Sequence, residues 1–313
     1  MPVKARVWTG VGRDDFVFPE LRKDAGEGGV STLQTKPNFA VCLSGGGFRA
    51  TTLGLGWIRV LYQKGIIQRA RYLTSNSGGS WFNAAFSYQR LYSREAFLGT
   101  YIMPQDLTPE VAKRQGQAHG SYAKAIADSN FLQDFLYDLV EDFFSLDWMF
   151  GKDSIKVRAW SEAVGKGFLE PFDLGGLDTS YCMSGQESLA ASTIHAKYTA
   201  CSDPAMPFPV IVGSIAPKND KRQFHCFEFT PLYSGCPTVV YDDDGRKIGG
   251  VLVEPHALNS KPPSAKIPLP GPPAILDLEV IAPVPLAQAA GVSSSYIAQM
   301  KANSRRELSL IHI

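Results

Sequence analysis

FAVCLSGGGFRA, residues Phe39 to Ala50, and RYLTSNSGGSW, residues Arg71 to Trp81, bracket the stretch on which the fold turns. The apolar run Phe39 to Leu43 has the length and composition of a buried strand. It feeds Ser44-Gly45-Gly46-Gly47, whose glycines can expose backbone N–H groups. Leu53, Trp57, Val60 and Leu61 then recur at helical spacing. That spacing predicts a helix whose N-terminus carries those N–H groups, where the dipole also favours negative charge. A second short strand, Tyr72 to Ser75, runs into Ser77-Gly78-Gly79-Ser80, a strand-to-helix turn with a serine at its apex. The helix that follows has Trp81, Phe82, Ala85 and Phe86 on one side. It is expected to pack under the sheet and to end in exposed polar residues, Gln89 and Arg90.

Two such turns on adjacent strands meet at the carboxyl ends of a parallel sheet, where open α/β folds bind ligands. One turn would offer backbone donors to an oxyanion. The other would hold a serine hydroxyl on a tight elbow, a pairing suited to acyl transfer. The elbow reads S-N-S-G-G, with Ser75 where a glycine is usual. Ser77 is the candidate nucleophile rather than Ser75 or Ser80, because it alone has a small residue two places to either side.

SGGGFRA, from Ser44 to Ala50, together with the SGGSW elbow resembles the catalytic domain of cytosolic phospholipase A2, a relative of the patatin lipases. FEFTPLYSG, Phe227 to Gly235, is similar to a later segment of that family, and LAQAAGVSSSYIAQ is similar more loosely. The resemblance implies a three-layer α/β/α sandwich with cap or insertion segments, working through a Ser-Asp dyad without a catalytic histidine. It makes Ser77 the nucleophile, Gly45, Gly46 and Gly47 the oxyanion hole, and Arg49 the phosphate-binding residue. The implied reaction is hydrolysis of glycerophospholipid or lysophospholipid esters at a membrane surface, with no cofactor and no metal.

The family's aspartate stands in a D-G-[GSA] motif, and no good match occurs here. Asp244-Gly245 ends a triple-acid run that reads as a hairpin turn, and Asp173 has the wrong spacing. The last six residues, Leu308 to Ile313, can be encoded by CTG TCT CTT ATA CAC ATC, a transposon-end adapter sequence. The expectation is therefore a fragment that lacks its own aspartate, with 307–313 a non-native tail. Residues 1–36 read as an N-terminal approach segment containing a loop at Gly26 to Gly29. Residues 37–306 read as an incomplete catalytic domain. Within it, Asn259 to Pro273 is a proline-rich insertion that divides off the last piece.

Composition narrows the alternatives. The 313 residues carry a formal net charge of +1, so no broad basic face points to nucleic acid. The five cysteines, with no C-x-x-C pair, read as thiols in a reducing, cytoplasmic setting. The N-terminus lacks a signal-peptide core, and no stretch is long enough to span a bilayer, which leaves peripheral membrane contact. Oligomeric state is unknown from the sequence. Phe131 to Phe144 predicts an amphipathic helix capped by Ser129 or Asn130 and packed on the core. Lys156 to Phe168 predicts another helix, stopped by Gly165 and Gly167. Pro209 to Gly213, Phe224 to Thr230 and Ile275 to Ile281 read as strands, and Ala287 to Met300 as a short helix.

Three other readings compete. Gly45-x-Gly47-x-x-Ala50 matches a dinucleotide-binding pattern, but Thr74, Ser75 and Asn76 stand where that pattern expects an acid. A Ser-Asp-His triad would draw on His119, His195, His225 or His256, none of which lies in a recognisable strand-end motif; His312 belongs to the tail. The third is an inactive lipid head-group binder that keeps Gly45 to Arg49 as its site.

Overall fold

The computed structural model describes residues 3–22, 31–129, 160–176, 179–181, 197–198, 205–215, 224–241, 245, 249–261 and 273–295. The helix expected over Phe131 to Phe144, the Gly26 to Gly29 loop, Asp244, His195 and residues 262–272 of the proline-rich stretch lie outside them.

Ten strands follow in chain order: β1 (Val3–Trp8), β2 (Ala40–Leu43), β3 (Tyr72–Asn76), β4 (Thr179–Ser180), β5 (Lys197–Tyr198), β6 (Phe208–Ile215), β7 (His225–Phe229), β8 (Ser234–Cys236), β9 (Val251–Val253) and β10 (Ala274–Leu278). β4 and β5 pair only with each other, and the other eight form one sheet in the order β10-β1-β9-β8-β7-β6-β3-β2. In the eight-stranded sheet β2 pairs β3 and β3 pairs β6 in parallel, and its remaining pairings are antiparallel; β4 and β5 are parallel to each other. The helices are α1 (Ser31–Thr35), α2 (Phe48–Gln63), α3 (Gly78–Tyr88), α4 (Arg94–Leu98), α5 (Pro109–Gln115), α6 (Tyr122–Asp128) and α7 (Leu286–Ser293).

One face of the sheet presents Leu43, Leu73, Ile211, Phe227 and Phe229 to the main core, which α2, α3 and α7 complete. The other face presents Phe208, Val210 and Leu252 beneath Trp8, Val11 and Leu33 of the N-terminal segment. The fold is therefore an α/β sandwich built on a mixed sheet. Every residue of α3 is buried. Its sequence, GGSWFNAAFSY, has no charge, and a helix that is apolar or small on all sides belongs in a core. Trp81 stacks on Phe168 at 4.5 Å, and the indole N–H groups of Trp81 and Trp160 both donate to Ser294 Oγ at 3.0 Å.

Several expectations change. β2 is the edge of the described sheet rather than a buried strand, with only Leu43 buried. α2 turns Thr51, Gly54, Leu55 and Ile58 inward, while Leu53 and Trp57 are 61% and 65% exposed. Gly54 faces the Phe82 ring, which a Cβ there would meet at 3.4 Å, an ordinary contact distance. Gln89 is buried, exchanging hydrogen bonds with the Tyr92 backbone in both directions. Gly165 and Gly167 do not stop their helix. It continues through them as a π turn over Gly165–Leu169, because Gly165 lies against Ala287 and the Gly175 carbonyl. Ser129 closes α6, its hydroxyl donating to the Ile126 carbonyl at 2.8 Å, while the helix it is expected to cap lies outside the described residues. Val3–Trp8, inside the segment read as an approach, is a sheet strand between β10 and β9. β10 pairs with it over five residues, so the piece beyond the prolines is joined to the sheet rather than divided from it.

The seam between the N-terminal segment and the sheet holds buried acids. Glu20 accepts a hydrogen bond from the Tyr72 hydroxyl at 2.9 Å, and Glu228 accepts one from Tyr233 at 2.9 Å. Burial pushes the Glu20 carboxyl up to about 7, against the smaller opposing pull of its hydrogen bonds. Glu254, fully buried beside Arg6, is likewise raised to about 7 by burial. Between the ordinary carboxylate value and 7 the folded chain holds protons that the unfolded chain has released, so stability falls as pH rises through that window. Each group is worth on the order of 3 kcal/mol across it. Urea unfolding at rising pH should show this decline, and Glu20→Gln should flatten it. An unchanged slope in that variant would remove Glu20 from the account.

Candidate active site

The register of β2 with β3 places Leu43 opposite Ser75, so the two turns that follow leave the sheet side by side. Their contact is backbone to backbone. A Cβ on Gly78 would lie 2.2 Å from the Gly47 carbonyl oxygen and 2.7 Å from its nitrogen, and one on Gly79 would lie 2.6 Å from the Leu43 carbonyl oxygen. Gly45 sits over the serine: a Cβ there would be 2.9 Å from Ser77 Cβ and 3.4 Å from Ser77 Oγ. Close approach thus explains Gly45, Gly78 and Gly79, whereas Gly46 and Gly47 are explained by their positive φ.

Each turn ends in one residue of positive φ before its helix begins. Gly47 has φ 61°, ψ −136°, and Ser77 has φ 51°, ψ −129°. Two strand-turn-helix units have the same backbone geometry at the same point, one filled by glycine and the other by serine. A side chain in this region costs about 1–3 kcal/mol and persists only where its surroundings over-determine it. Ser77 and Asp173 are the two described non-glycine residues with positive φ.

The glycine turn is open to solvent. Gly45, Gly46 and Arg49 are exposed, and Gly47 and Ser77 are half-buried. Among the described residues the N–H groups of Gly45, Gly46 and Gly47 carry no hydrogen bond, and Arg49 has no acidic partner. Ser75 and Ser80 are instead buried and engaged. Asn83 Nδ2 donates to Ser75 Oγ at 2.9 Å, and Ser80 Oγ donates to it at 3.1 Å.

No described acid or histidine meets the Ser77 hydroxyl. Asp173 ends the short turn Glu170–Phe172 in the left-handed conformation and does not contact Ser77. His119 is exposed against the Tyr92 ring, His225 lies on β7, and His256 packs against the Lys4 carbonyl at 3.1 Å. Burial holds the His256 imidazole below its ordinary range. No three metal-binding side chains cluster among the described residues, and no helix there is long and apolar enough to cross a membrane.

The residue that sequence reasoning did not single out is Ser293, at the end of α7. The Ser77 N–H points to its carbonyl oxygen at 3.2 Å and its hydroxyl at 3.0 Å. The available signal was the run Ser293-Ser294-Ser295 closing an apolar helix, where serines have carbonyls to satisfy.

Comparison with known proteins bears on the class. Residues 39–114 match the family model of the lysophospholipase catalytic domain. A lysophospholipase of Kluyveromyces lactis is 30% identical over 79 residues, 22% of this chain and 12% of the relative. Human GIVD cytosolic phospholipase A2 aligns over 90% of this chain and 31% of its own, at 17% identity and TM-score 0.44. Its complex with methyl gamma-linolenyl fluorophosphonate aligns over 89% and 34%, at 18% identity and TM-score 0.41. The chain therefore spans about a third of these solved structures and far less of the yeast protein. Over residues 39–114 the chain is therefore similar to the lysophospholipase catalytic domain.

Proposed function

We propose that this chain carries the nucleophile and oxyanion site of a serine lipid acyl hydrolase acting on phospholipid or lysophospholipid esters at a membrane surface. The observation that carries the proposal is Ser77, held in a left-handed conformation against a glycine turn with unpaired N–H groups. In the reaction, Ser77 Oγ attacks the ester carbonyl carbon as its proton passes to a carboxylate base. The N–H groups of Gly45, Gly46 and Gly47 receive the oxyanion, each such donor being worth about 3–4 kcal/mol in related enzymes. Arg49 holds the phosphate through charge-assisted hydrogen bonds. Collapse expels the alcohol, which takes up the proton, and water then cleaves the acyl-serine to release fatty acid. Since no described carboxylate touches Ser77, the base of this Ser-Asp dyad is placed outside the described residues.

The test has two arms. Incubation with an alkyl fluorophosphonate should add one phosphonyl group to the peptide containing Ser77, read by mass spectrometry. Fatty acid release from lysophosphatidylcholine should accompany it wherever the base is present. Modification at Ser75 or Ser80, or none, would sink the assignment. Lipid binding that survives Ser77→Ala, with no hydrolysis by either form, would favour the head-group binder.

A further inference from the structure

Both hydrogen bonds of the Ser77 N–H end on one residue of another helix, the carbonyl and hydroxyl of Ser293. Ser293 is the last residue of α7, where carbonyls lack intrahelical donors and carry the negative end of the dipole. Its hydroxyl also donates to the Val212 carbonyl at 2.7 Å, the β6 residue paired with Asn76, and lies 2.8 Å from Ser80 Oγ. One side chain therefore joins the elbow, the first turn of α3 and the middle of β6.

We propose that Ser293 is a positioning residue that locks the Ser77 backbone in its left-handed conformation and so aims Oγ at the glycine turn. A strained residue needs its peptide plane fixed from outside, because its own torsional preference pulls it away. Capturing the N–H with two acceptors fixes that plane. A carbonyl alone would leave the plane free to swing about a single bond, and the hydroxyl removes that freedom by anchoring to β6. The catalytic part of this inference rests on reading Ser77 as the nucleophile; the conformational part does not.

The experiment uses the 313-residue chain and two readouts, the fluorophosphonate labelling rate and the thermal midpoint. Ser293→Ala should slow labelling about a hundredfold, the scale of a 1 Å misplacement of a reacting group. Ser293→Thr should restore the wild-type rate. Ser80→Ala removes another neighbour of the same hydroxyl without touching the Ser77 N–H, so it should lower the midpoint and leave labelling unchanged. Ser293→Ala should also lower the midpoint less in a Ser77→Gly background, because glycine takes up the conformation unaided. Unchanged labelling in Ser293→Ala would overturn the proposal. So would an equal fall in midpoint in both backgrounds. If the wild-type chain is not labelled at all, the nucleophile reading fails, and the midpoint comparison still decides whether Ser293 locks the elbow.

Discussion

Ser77→Ala is expected to abolish lipid ester hydrolysis, a fall of about a millionfold in a competent serine hydrolase, while leaving the unfolding free energy nearly unchanged. Ser77→Gly should lose as much activity and yet gain stability. Alanine keeps the Cβ and with it the penalty of φ 51°, whereas glycine adopts that conformation freely, as Gly47 does at φ 61°. Relief of about 1–3 kcal/mol is partly offset by the roughly 0.5–1 kcal/mol that glycine loses in chain entropy, so the net gain over alanine should be about 1 kcal/mol. Equilibrium urea unfolding of the three proteins measures it. A chain made more stable by glycine at this position is one whose serine is held under strain. Equal stability of the alanine and glycine forms would mean that the elbow stores no strain.

The two turns of the candidate site were legible as strand-turn-helix units because their signals are local. A strand, a glycine turn and a helix occupy consecutive residues, and both turns obey the same rule. What the sequence obscured lies in relations between distant segments. Leu53 and Trp57 form a genuine apolar stripe on α2, but the packed stripe is Thr51, Gly54, Leu55 and Ile58, whose small members do not register as hydrophobic. Val3, Ala5 and Val7 alternate with Lys4 and Arg6, an available strand signal, yet their partners β9 and β10 lie some 250 residues away. Ser293 is hidden for the same reason, since nothing near it in sequence says that the α7 C-terminus will reach Ser77. A partner for the Ser77 hydroxyl is a different matter, for among the described residues neither Asp173 nor any histidine meets it.

Gly78→Ala should be severely damaging for so small a substitution. Gly78 is the first residue of α3 and is not one of the positive-φ glycines, so glycine is not needed there for its torsions. It is needed for space: the added Cβ would sit 2.2 Å from the Gly47 carbonyl oxygen and 2.7 Å from the Gly47 nitrogen. Both obstacles are backbone, so no rotamer change can clear them, and α3 must move away from the glycine turn. Overpacking of this kind costs about 1–3 kcal/mol where side chains can yield, and here the loss should reach or exceed about 3 kcal/mol. On the proposed function activity should vanish with it, because the glycine turn would no longer abut Ser77. Gly47→Ala is the control. A Cβ there meets nothing within 4 Å, so only the left-handed backbone opposes it, at about 1–3 kcal/mol. Urea unfolding that ranks Gly78→Ala below Gly47→Ala would establish close approach of the two turns as the constraint. The reverse ranking would mean that torsion governs the elbow, and that the two backbones have room to separate.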